Sequence, residues 1–284
     1  MTIRIKLTGG LGNQMFQFAT AFAIAKRNNV RLSLDLNYIN QRQLFNGFEL
    51  EKVFNIYSKV SFLNKTLSFQ SINFKEILNK IDVTFYNFKE PHFHYTSKIL
   101  DIPKHSFLDG YWQSELYFKD YSKEIKKIFN FSDKLDEQNE LISNDINQSN
   151  SISIHIRRGD FLLKRNDNHY VNLKEYYLKA IEDSSKSINN PKYFIFTDDP
   201  LWVTKNFIIK YSHTVIDLNH DTKSFLDMYL MSLCKCNIIA NSTFSWWGAW
   251  LAKYKDKVVV APSTSEKYGH WADPKLLPKE WLQL

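Results

Sequence analysis

The sequence predicts an α/β protein that opens with a βαβ unit and whose second half is a parallel sheet wound with helices. Three observations carry that prediction. The chain opens with a strand, a glycine-rich turn, a helix and a second strand, which together make a βαβ unit. Beyond residue 150, short apolar runs alternate regularly with helical patterns, the signature of a parallel, doubly wound sheet. The most unusual polar residues fall directly after those runs, where open α/β sheets place their ligands.

Residues 3–7 read as the first strand and Met15 to Lys26 as a helix, with Val30 to Asp35 forming the second strand. Between them lies Gly9-Gly10-Leu11-Gly12-Asn13-Gln14, a turn whose N–H groups could meet a phosphate or a sugar. It imitates a dinucleotide-binding fingerprint, with Asp35 at a suitable distance, but Met15 stands where the third glycine belongs. A dinucleotide-dependent oxidoreductase is therefore a weaker alternative. Residues 40–108 carry no clear motif. His92 and His94 are expected on one face of a half-buried strand, with a metal site as the lesser reading. Tyr111, Trp112 and the polar residues around them suit either stacking on a sugar or a packed aromatic corner.

An acidic, polar stretch from Ser132 to Asn150 reads as a surface helix and linker, which divides the chain into domains 1–148 and 149–284. In the second domain, strand 151–156 ends in Arg157-Arg158-Gly159-Asp160. Two guanidiniums at a strand end suit a diphosphate, or else they bridge to surface carboxylates. Strand 192–196 leads to Thr197-Asp198-Asp199-Pro200, where either aspartate could contact a base or ribose, cap the next helix, or hold a metal. Strands at 213–217, 237–240 and 257–261 follow, and the fourth of the five runs into Asn241-Ser242-Thr243-Phe244-Ser245. Hydroxyls opening a helix can cap its free N–H groups and accept an anion beside its dipole. In a parallel sheet these loops share one edge.

The 284 residues, 44% of them hydrophobic, can fill two cores. A net charge of +7 makes an anionic partner plausible, but no dense basic run or nucleic-acid module is present, so nucleic acid is not expected. Cys234 and Cys236 cannot close a metal site alone and are expected as buried free thiols. The start is not a secretory signal, and no apolar run reaches the roughly 18–20 residues that span a bilayer. A cytoplasmic protein follows, able to rest peripherally at the inner membrane face.

His155-Ile156-Arg157-Arg158-Gly159-Asp160 resembles the H-x-R-R-x-D motif of α1,2- and α1,6-fucosyltransferases. Residues 9–17, Gly110 to Ser114, Thr197-Asp198-Asp199 and Asn241 to Leu251 resemble the α1,2 branch, glycosyltransferase family 11, in family order. The resemblance implies a GT-B architecture of two Rossmann-like domains facing a central cleft, the first toward the acceptor. It implies inverting transfer of L-fucose from GDP-β-L-fucose to the 2-hydroxyl of a galactose-terminated glycan, which can be lipid-linked, without a metal or other cofactor. Carried over residue by residue, Arg157 and Arg158 clamp the diphosphate. Asn13 approaches the donor, with Gly10, Gly12, Gln14 and Trp112 around it, and His155, Asp198, Asp199, Asn241, Ser242, Thr243 and Ser245 lie near the nucleotide. Asp160 is the first candidate for the general base, its other reading being to orient the arginines; Asp167 and His169 come next. Transfer of another GDP-sugar, or a different linkage, is the nearest alternative, and a non-catalytic glycan-binding module is a further one.

Overall fold

In the computed structural model the described residues are 1–42, 46–57, 85–131, 135–158, 174–207, 209–265 and 270–284. The chain forms two compact units, Met1–Phe131 and Ser132–Leu284.

The first unit holds a four-stranded parallel sheet of β1 (Thr2–Lys6), β2 (Arg31–Asp35), β3 (Tyr86–Lys89) and β4 (Ser106–Asp109), in the order β2-β1-β4-β3. Helix α1 (Leu11–Asn28) is buried on nearly every side over its first four turns, because apolar residues alternate with small ones and only Lys26 and Arg27 carry charge, in the last turn. Cations there complement the negative end of the helix dipole. Phe18 stacks on Phe22 at 5.9 Å and meets Phe129 at 5.6 Å, and Phe54 lies 5.0 Å from Phe129. Past the short helix α2 (Asn37–Arg42), these rings link α1 with α3 (Glu49–Phe54) and α4 (Ser122–Ile128): Phe54 ends α3, and Phe129 follows α4.

The expected strand at His92 and His94 is absent. Residues 90–96 run irregularly, with His92 exposed at φ 81°, a left-handed conformation no strand uses. The neighbouring strand β3 is instead at Tyr86–Lys89, a mostly exposed edge whose aromatic–polar alternation runs for only four residues.

The second unit contains α5 (Glu137–Gln148), β5 (Asn150–Ile156), α6 (Lys174–Ser187), β6 (Pro191–Thr197), α7 (Pro200–Asn206), β7 (His213–Ile216), α8 (Phe225–Leu233), β8 (Cys236–Ile238), α9 (Thr243–Leu251), β9 (Val258–Ala261) and β10 (Leu282–Gln283). All strands are parallel, in the order β10-β9-β8-β5-β6-β7. The division of the chain falls at 131/132 and not at 148/149. Helix α5 belongs to the second unit because it packs on α8 and β5, and because Asn139 and Asn219 exchange side-chain hydrogen bonds at 3.0 and 2.9 Å. The two-residue β10 adds a sixth strand that its short, exposed sequence did not announce. Cys234 and Cys236 are buried free thiols, and burial holds both in the neutral form.

Candidate active site

The carboxyl edge of the second sheet is organised by strand register. β5 and β6 pair with Ile156 opposite Thr197. Continuing in step, Arg157 falls beside Asp198 and Arg158 beside Asp199. The ion pairs follow: Arg157 Nη1 lies 3.0 Å from Asp198 Oδ2, and Arg158 Nε lies 3.2 Å from Asp199 Oδ2. Asp198 Oδ1 also accepts the backbone N–H of Arg158 at 2.8 Å. The bridging reading of the arginines is thus met, by carboxylates at the adjacent strand end that fix their direction. Asp199 has a second task. Its Oδ1 accepts the Trp202 N–H at 3.1 Å, the N-cap of α7, with Pro200 in the first turn. The aspartates therefore position arginines, the task that the sequence offered to Asp160. Asp160, Asp167 and His169 lie outside the described residues.

His155 is 5% exposed, and its Nδ1 is buried without a hydrogen-bond partner among the described residues. Burial first, then the charge of Arg157, lowers its pKa to about 3, so the ring is neutral at any physiological pH. Asn241, 2% exposed at the end of β8, has an equally unpartnered Nδ2. A buried polar atom without a partner costs about 1–3 kcal/mol, so each of these atoms is open to a further hydrogen bond. The strand ends themselves are pinned. Tyr177 on α6 donates its hydroxyl to the His155 carbonyl at 2.7 Å, and Tyr176 donates to those of Ile239 and Val260, both at 2.8 Å.

Of the hydroxyl run, Ser242 caps α9 by accepting the Phe244 N–H at 3.3 Å. Ser245 is fully buried, accepting the Ala240 N–H at 3.2 Å and donating to the Ser242 carbonyl at 3.3 Å. Its hydroxyl closes the turn, with its proton and one lone pair committed to backbone groups. Thr243 is half-buried at the first position of α9.

In the first unit the glycine turn is not an open phosphate cradle. Gly10 precedes α1 without a side-chain cap, but the buried carboxylate of Glu49, at the start of α3, accepts the Leu11 N–H. Glu49 thus supplies a carboxyl group to this helix N-terminus. Burial raises its pKa, against the hydrogen bonds from Asn46 and Leu11. Gln14 is fully buried and its amide is committed: Nε2 donates to the carbonyls of Gly9 and Gly47, both at 2.9 Å, and Oε1 accepts the Glu49 N–H at 3.0 Å. Gln14 braces the turn; it does not reach a ligand. Gly12 is buried within the first turn of α1.

The glycine turn and the loop after β4 form one surface. Gln17 accepts the Thr8 N–H and donates to the Gly110 carbonyl, both at 3.0 Å; Lys6 pairs with Asp109 at 3.1 Å. Gln113 Nε2 donates to Asn13 Oδ1 at 3.0 Å, while Gln113 Oε1 is buried without a partner among the described residues. Gly9, at φ 77°, lies over Asn13: a Cβ there would come within 2.5 Å of Asn13 Nδ2. Trp112 is 1% exposed and packs edge-on to Tyr117 at 5.9 Å, so the packed-corner reading holds for its ring and the stacking one does not. Glu90 fixes this corner by accepting the N–H groups of Tyr111 at 2.7 Å and Trp112 at 3.0 Å. A Cβ on Gly110 would collide with Glu90 Cβ and lie 2.9 Å from the Trp112 ring. Gly110→Ala is expected to destabilise the fold by about 1–3 kcal/mol, read as a lower urea midpoint with unchanged slope.

Glu49 and Trp202 were not among the residues singled out from sequence. Glu49 acts across thirty-eight residues from Leu11, a separation that carries no pattern. Trp202 sits three positions after Asp199, one helical turn on, and that spacing was readable.

Two parallel Rossmann-like units, one with an arginine pair at its central strand end, define a GT-B-class α/β enzyme. The chain belongs to glycosyl transferase family 11, whose model matches residues 1–284, and it is a glycosyltransferase. It is 33% identical over 288 aligned positions to an α-1,2-colitosyltransferase of Escherichia coli, covering 98% of this chain and 97% of that protein. It is 31% identical to the O-antigen biosynthesis glycosyltransferase WbnK of Escherichia coli, covering 90% and 92%. Among solved structures it is similar to the NodZ α-1,6-fucosyltransferase from Bradyrhizobium, a crystal soaked with GDP-fucose, with TM-score 0.52 and 14% identity over 88% of this chain and 92% of that one. That likeness is one of fold.

Proposed function

We propose that the protein transfers L-fucose from GDP-β-L-fucose to the 2-hydroxyl of a galactose residue in a glycan, with inversion. One observation carries the donor side of this reading. Two guanidiniums held by Asp198 and Asp199 end the strand that carries His155, and the buried His155 Nδ1 and, beyond the neighbouring strand β8, Asn241 Nδ2 have no partner among the described residues. The acceptor oxygen attacks C1 as the C1–O bond to GDP breaks. GDP leaves with the electron pair, and the hydroxyl proton passes to a general base, for which Asp160 is the sequence candidate. Negative charge grows on the departing diphosphate, where preorganised cations act most strongly. Arg157 and Arg158 supply two positive charges there, so no divalent metal is required. The neutral His155 ring offers a hydrogen bond without adding charge.

The galactose acceptor and the 2-linkage are supported by the collinear motifs of the α1,2 branch. The similarity to WbnK supports an acceptor in surface-polysaccharide assembly, which can be lipid-linked. No helix among the described residues is long and apolar enough to cross a membrane; the membrane contact belonging to this reading is a peripheral one, at the inner face. A second reading, transfer of a colitosyl residue with the same linkage, is favoured by the relative at 33% identity. Purified protein should transfer fucose from GDP-fucose to a galactose-terminated oligosaccharide in EDTA, with the α1,2 bond visible by NMR. Transfer only from a colitose donor would select the second reading. Hydrolysis or binding without transfer to any galactoside would remove the first.

A further inference from the structure

We propose that Trp202 is a positioning residue for Arg158, acting through that guanidinium on the donor diphosphate; this rests on the donor reading above. The Arg158 guanidinium carbon lies 3.5 Å from the centroid of the Trp202 ring. At that distance the cation faces the negative face of the indole, an attraction that strengthens with desolvation. The Arg158 side chain is only 18% exposed.

The contact is one side of a closed bracket. Asp199 accepts Arg158 Nε with one oxygen and the Trp202 N–H with the other. The same carboxylate thus sets the edge of the guanidinium and the start of the helix bearing the indole. Trp202 is itself partly buried and packs against the core cluster of the unit, which includes Val203 and Phe207. A ring anchored in a core below and a carboxylate at Nε leave Arg158 little rotational freedom about its long stem. The terminal nitrogens, which have no partner among the described residues, are then presented in one orientation. An arginine side chain left free gives up about 2 kcal/mol of rotamer entropy when it is fixed. A bracket that holds it before the ligand arrives removes much of that cost. Only a planar, delocalised cation can use both the ring face and the Nε carboxylate, so lysine at 158 cannot substitute.

The test is a pair of readouts on the full chain for wild type, Trp202→Phe and Trp202→Leu. In nitrogen-edited NMR of the arginine Nε–H groups, without ligand, the wild-type Arg158 signal should be shifted by the indole ring current and slow to exchange. Trp202→Leu should return it to the position of an exposed arginine, and Trp202→Phe should keep part of the shift. By calorimetry, Trp202→Leu should weaken GDP binding about tenfold and Trp202→Phe less than about threefold, as loss and retention of a ring face predict. A thermal midpoint close to wild type in Trp202→Phe separates positioning from folding. An Arg158 signal indifferent to Trp202, or equal GDP affinity in wild type and Trp202→Leu, would overturn the inference. If wild type itself binds no GDP, the donor reading falls, and the NMR result alone decides whether Trp202 holds Arg158.

Discussion

Arg158→Ala should lower the rate of sugar transfer by about a hundredfold to a thousandfold, the effect of removing one preorganised charge from a developing oxyanion. Its stability should scarcely change. The ion pair with Asp199 is partly solvated, and such pairs contribute about 0–1 kcal/mol. Loss of rate with an intact fold is the outcome that separates a catalytic cation from a structural one. Arg158→Lys should recover little, because one ammonium cannot keep the Asp199 contact and also reach the diphosphate. Steady-state kinetics with a thermal melt on both variants checks this. A variant retaining more than about a third of wild-type kcat would place the leaving-group charge elsewhere.

The second large effect is a pH dependence built into α8. Asp227 sits in its first turn, where burial raises its pKa from the ordinary 3.8 to about 7, against the lowering effect of a 2.8 Å hydrogen bond from Asn219 and with a small addition from Asp217. A folded pKa above the unfolded one means that the fold holds the proton more tightly. The stability linked to that proton is complete below about pH 4 and is lost as pH rises through about 7. The full rise corresponds to about 4 kcal/mol. Asp227→Asn removes the ionisation while keeping an oxygen for Asn219. Relative to wild type, it should therefore gain about 2–3 kcal/mol in unfolding free energy between about pH 5 and about pH 8. Denaturant titrations of both proteins across that interval give the difference directly. A constant difference would mean that Asp227 is ionised throughout.

The second unit was largely legible because its signals are local. Each of β5, β6, β8 and β9 is a short apolar run bounded by turn residues, and the chemistry follows directly at the strand ends. What the sequence could not supply was register. The pairing of Ile156 with Thr197 decides that Asp198 and Asp199 serve the arginines, and it joins residues forty-one positions apart. The hydroxyl run misled for a related reason: Ser245 looks like Ser242 in sequence, yet its place in the turn spends its hydroxyl on backbone groups. The first unit was harder. β3 and β4 are four residues each, too short for periodicity to mark. The glycine turn offers free N–H groups, and one of them, that of Leu11, is met by Glu49 from α3, thirty-eight residues away. Gln14 and Trp112 fit a binding motif by type, yet burial and committed hydrogen bonds make them supports of it. The packing of α5 on α8 likewise moved the domain boundary by seventeen residues, since an acidic surface helix gives no sign of which core it joins.

The central claim is that the arginine pair at the end of β5 takes the diphosphate of a guanine nucleotide sugar. Calorimetric titration of GDP into the wild-type chain in EDTA, repeated with Arg157→Ala and Arg158→Ala, tests it most directly. Saturable binding without metal, weakened at least about tenfold in each variant, is the predicted result. Binding that vanishes in EDTA, or that is indifferent to both arginines, would contradict it.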